Sequence, residues 1–125
     1  MTSDYFNSLA VELEIRVINR DPETIVIEFF DAVAQAIVAF QPEFLGHLKG
    51  FCKGQEGDHL QISYVSARTG VQVNGQWHHP SDSVLLTLNI NVLGIEETRI
   101  KTILNEVLSR DDFQGISYSS GLTPL

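Results

Sequence analysis

The residues of this chain best suited to hold a metal or carry a reaction fall in one stretch: His47, Cys52, His59, His78 and His79 are all of its histidines and its only cysteine. A zinc or cobalt centre needs three or four such ligands converging about 2 Å from the ion. By residue type, His47, His59, His78 and His79 are the candidate metal ligands. Spacing works against one shared centre. In an extended strand His47 and Cys52 turn to opposite faces, because their numbers differ by an odd count. His78 and His79 are adjacent and diverge in the same way, and beside Trp77 they suit surface recognition as well as ligation. No cofactor is therefore expected, with zinc or cobalt as the alternative.

Other chemistries find less. Cys52 as a nucleophile requires a base and a site that stabilises the thiolate; its place on the face of Gly46, Leu48 and Gly50 reads instead as a small buried residue. The glycines do not form a phosphate-binding loop that opens a helix, and no serine sits in a nucleophile elbow. Glu12 and Glu14 share the wet side of one strand, where paired carboxylates simply solvate. Asn89 and Asn91 lie on one face of an apolar strand, and amides in such a place need partners. With Lys49 and Phe51 they make the candidate interaction surface.

These residues are carried by elements that patterning makes legible. Val11, Leu13, Ile15 and Val17 alternate with Glu12, Glu14 and Arg16, the period of a strand with one buried face. Asp21 and Pro22 start a helix as cap and first residue, and Pro42 stops it. Its apolar stripe, Ile25, Phe29, Val33, Ala36 and Phe40, is widened by Val26, Phe30, Ile37 and Val38. A stripe that broad lies between two layers or against a second subunit. Strands are expected from Phe44 to Lys53 and from Leu60 to Ser66, joined by a turn through Gly54, Glu56, Gly57 and Asp58. Asn74-Gly75 reads as a type I′ hairpin turn, with Trp77 just beyond it. Ser83 to Leu93 is a central strand, and a second helix buries Ile100, Ile103, Leu104, Val107 and Leu108 before ending near Arg110. The tail from Phe113 to Leu125 adds at most a short edge strand.

The expected fold is α+β: a two-layer sandwich with a mostly antiparallel sheet and two helices on one face, in the order β-α-β-β-β-α, ferredoxin-like or a relative. At 125 residues one domain spanning 1–125 is expected. Net charge of −8 disfavours nucleic acid, whose affinity comes from neutralising phosphates. The apolar segment Ile25 to Phe40 is broken by Glu28, Asp31 and Gln35, so no membrane span is expected. A lone cysteine and a first segment, Met1 to Ala10, without basic or continuous apolar character fit a cytoplasmic protein. A homo-oligomer, with a further protein partner in reserve, is the expected association.

The run Leu45-Gly46-His47-Leu48-Lys49-Gly50-Phe51, then Ile62-Ser63, then Leu86-Thr87-Leu88-Asn89-Ile90-Asn91-Val92, resembles a segment that follows the GTPase domain in some CobW-type proteins. Those are GTP-dependent metallochaperones or cobalamin-related factors. The resemblance covers residues 44 to 108, and the GTPase signatures themselves are missing, so GTP binding does not carry over. It implies an accessory module beside a metal- or corrinoid-handling partner. Of its motif, His47 and Lys49 are the positions carried across to this chain, with no catalytic role attached. The function expected from the sequence is a small non-enzymatic interaction or regulatory domain, homodimeric, with a metal- or corrinoid-binding accessory protein as the alternative.

Overall fold

The computed structural model describes residues 6–17, 19–43, 46–54 and 56–119. β1 (Phe6–Arg16) keeps the period of two: Leu9, Val11, Leu13 and Ile15 are buried, whereas Glu14 and Arg16 are exposed. α1 (Pro22–Phe40) begins as its sequence demands, with the Asp21 carboxylate accepting from the Thr24 backbone N–H at 3.1 Å and from its hydroxyl at 2.7 Å. Most of its wide stripe is covered within the chain: Val26, Phe29, Phe30, Val33, Ala34 and Ile37 are fully buried, whereas Phe40 at its end is 49% exposed. Each large side chain so buried contributes about 1.5–3 kcal/mol. The layered alternative thus accounts for this helix. α2 (Glu97–Leu108) packs beside α1 and buries Ile100, Ile103, Leu104 and Val107, and Phe113 in the 3₁₀ turn Asp111–Phe113 meets Phe29 edge-on at 5.3 Å.

β2 (Gly46–Lys53), β3 (His59–Tyr64), β4 (Val71–Gln76), β5 (Ser83–Leu93) and β6 (Ile116–Tyr118) complete an open six-stranded sheet ordered β4-β3-β2-β5-β1-β6. Every neighbouring pair is antiparallel. The class is α+β, but the expected β-α-β-β-β-α order gains two strands. One comes from the tail, where Ile116–Tyr118 pairs with Leu13–Ile15 of β1. The other corrects the reading of Asn74-Gly75 as a turn. Both lie inside β4, opposite Gln61 and Leu60. Gly75 takes φ +106°, and a Cβ there would stand 2.5 Å from the His59 carbonyl oxygen, so the glycine serves close strand approach rather than a bend. Phe44, Leu45 and residues 120–125, which the expected second strand and tail include, lie outside the described residues.

Both helices cover the face formed by Leu13, Ile15, Leu48, Cys52, Leu86 and Leu88. Among the described residues no helix covers the opposite face, bare in that sense, where Ser119 at the end of β6 donates its hydroxyl to Glu12 at 2.9 Å. Among the described residues no helix is long and apolar enough to cross a membrane.

Candidate functional site

The antiparallel registers lay the outward side chains of the bare face in rows across the strands. One row runs Asn74, Gln61, Phe51, Thr87 and Glu12; the next runs Gln72, Ser63, Lys49, Asn89 and Ala10. A third, on the other side of Phe51, runs Gln76, His59, Lys53, Leu85 and Glu14. Strands β2 to β5 contain no aspartate or glutamate, although the chain has 16. The sheet's acidic side chains are confined to β1, and its lysines to β2.

Phe51 stands near the middle of this face with 41% of its surface exposed. Its ring stacks on His59 at 6.0 Å and 24°. Beside it a depression of about 360 Å³ is lined by Lys49, Phe51, Gln61, Ser63, Asn74 and Asn89. Three of the four expected interaction residues, Lys49, Phe51 and Asn89, therefore share one surface. Asn91 lies further along β5, opposite His47. His47 Nδ1 and Asn91 Oδ1 are both buried atoms with no hydrogen-bond partner among the described residues.

The four histidines do not converge. His47 and His59 occupy the bare face on β2 and β3, while His78 and His79 follow β4 in a loop. His78 Nε2 donates to Gln76 Oε1 at 2.9 Å, and His59 Nδ1 approaches the Gly57 carbonyl at 3.4 Å. Among the described residues no three His, Cys, Asp or Glu side chains are grouped to hold a metal ion.

His79 is held instead by a carboxylate that residue type alone did not single out. Asp58, 5% exposed, accepts from the backbone N–H of His78 at 3.1 Å, the backbone N–H of His79 at 2.8 Å and His79 Nδ1 at 3.0 Å. Asp58 neighbours His59 in the chain, but the fold pairs it with His79 because the β2–β3 turn abuts the loop after β4. Glu56 lies 3.4 Å from His79 Nε2, on the opposite side of the ring. Desolvation pushes the Asp58 pKa up, but bonds from His78 and His79, together with the His79 charge, pull it below the usual carboxylate value. This cluster ties two loops together. The Trp77 ring seals the join against Gly54, where a Cβ would stand 2.6 Å from the indole.

Cys52 points to the helix side with Leu48, opposite His47 as its odd spacing requires. Burial pushes its thiol up to about 12, against a smaller lowering by the Lys53 backbone N–H, so almost no thiolate forms near neutrality.

No protein-family model matches the chain, and comparison with curated proteins gives no match. Solved structures similar to it include the Zn(II)-bound YjiA GTPase from E. coli, at 16% identity and a TM-score of 0.46 over 82% of this chain and 29% of that one. A Zn(II)-bound triple mutant of the same GTPase gives the same figures, 16% identity and a TM-score of 0.46. The chain thus spans under a third of the length of that GTPase, 29%.

Proposed function

We propose that the chain is a small non-enzymatic interaction domain that works through the bare face of its sheet, as a homodimer. The observation that carries this reading is Phe51, an aromatic ring 41% exposed on a face whose strands β2 to β5 hold lysine, histidine and amides but no acid. Exposed aromatics ringed by polar groups are typical anchors of protein contacts. We read β2-β5-β1-β6, joined through α1 and α2, as the ferredoxin-like arrangement, with the β3–β4 hairpin added beyond β2. The resemblance of residues 44 to 108 makes the module an accessory one, associated with a larger partner.

Light scattering coupled to size exclusion tests this. Wild-type protein is expected to show a concentration-dependent dimer, and Phe51→Glu to be monomeric with an unchanged circular dichroism spectrum. A strict monomer at high concentration with no partner retained in a pull-down sinks the proposal.

A further inference from the structure

The bare face is charged in a pattern that says how a second copy sits on it. On β1, Glu12 and Glu14 point outward; on β2, Lys49 and Lys53 do; β5 separates the two strands. Glu14 and Lys53 flank Leu85 in one row, roughly 10 Å apart across two strand spacings. Among the described residues neither has an ion-pair partner, although both are exposed. Within one molecule the opposite charges are held apart.

We infer, resting on the reading above, that the occupant of this face is a second copy of the chain, related by a two-fold axis running along β5. Such a rotation turns the sheet over while keeping each row at its own height. β1 of each copy then lies over β2 of the other. Glu14 meets Lys53 of the opposing copy twice, and Glu12 falls in the row of Phe51, between the two lysines. Leu85, Thr87 and Asn89 each meet their own counterpart along the axis. The competing two-fold, across the strands, sets β2 on β2 and β1 on β1. It places lysine against lysine and glutamate against glutamate, a juxtaposition that charged interfaces avoid. Two faces packed this way keep their strands within about 30° of one another and about 10 Å apart.

The test uses the full chain. Light scattering measures the dimer fraction of wild type, Glu14→Lys, Lys53→Glu and the E14K/K53E double variant, each checked for folding by circular dichroism. Each single reversal is expected to weaken the dimer by about tenfold or more, and the double reversal to restore it, because exchange rebuilds both pairs. A second readout is chemical. Thr87→Cys is expected to couple to itself through a bismaleimide spanning about 10 Å, whereas Gln72→Cys, near the sheet edge, is not. If the double reversal stays as weak as the singles, or Gln72→Cys couples in place of Thr87→Cys, the axis is wrong. Loss of the dimer in Phe51→Glu then still leaves the bare face as the contact. A dimer indifferent to all these changes overturns both the axis and the bare face as the contact, and a wild type that never dimerises overturns the axis and the homodimer.

Discussion

Asp58 takes more hydrogen bonds from the loop after β4 than any residue type in the sequence advertised. Its lowered pKa means the folded state holds its proton less tightly than the unfolded chain, whose value is near the ordinary 3.8. The stability it contributes is complete above that value and is lost as pH falls through the folded pKa. Urea melts over an acid series are expected to show wild type losing stability more steeply below about pH 4 than Asp58→Asn, which lacks the titrating group. At neutral pH the Asn variant is the less stable of the two, since an amide offers His78 and His79 a weaker acceptor than a carboxylate. Cys52 gives the opposite case, a chemically capable residue made inert. With its thiol pushed up to about 12 and its side chain fully buried, it is expected to react with Ellman's reagent only as fast as the protein unfolds. That Cys52 is buried and faces away from His47 was legible, because parity along a strand is a local property. The partnership of Asp58 with His79 was not: it spans 21 residues and depends on where a loop returns.

Among the elements, the period-two strands and the Asp21-Pro22 helix start could be read directly, because one buried face or one cap writes itself into consecutive residues. The Asn74-Gly75 pair misled for a matching reason. Its preference for positive φ is real, and Gly75 uses it, but inside a strand pressed against His59. A dipeptide records the torsion, not whether the chain reverses there. Gly54 and Trp77 show a second contact that no local pattern signals. Gly54→Ala must push the indole aside and is expected to cost about 1–3 kcal/mol by chemical denaturation. In a Trp77→Ala background the same change is expected to be nearly neutral. Equal costs in the two backgrounds would show that the indole is not what excludes the side chain. Gly75→Val, set against backbone at positive φ, is expected to cost about 1–3 kcal/mol in either background.

On the scale of the whole molecule, the apolar width of α1 had two explanations, and the fold takes the layered one: the helix is spent on its own sheet. Phe29→Ala is accordingly expected to cost about 3–5 kcal/mol, read as a lowered denaturation midpoint against wild type at the same protein concentration. The layering also fixes which surface is left over, and hence why Lys49, Phe51 and Asn89 come together although β2 and β5 are far apart in the chain. Strand order carries one more consequence, for synthesis. β1 finds its ladder on β5, with Phe6 opposite Leu93, and on β6, with Leu13 opposite Tyr118. β1 is therefore made before either of the strands it pairs with. At the usual elongation rate of about 5–20 residues per second, it leaves the ribosome several seconds before any partner exists. Its apolar residues, Leu9, Val11, Leu13 and Ile15, must stay in solution for that interval. Glu12 and Glu14 are acidic charges that this strand carries until β5 arrives, and charged side chains oppose the pairing of exposed strands with one another.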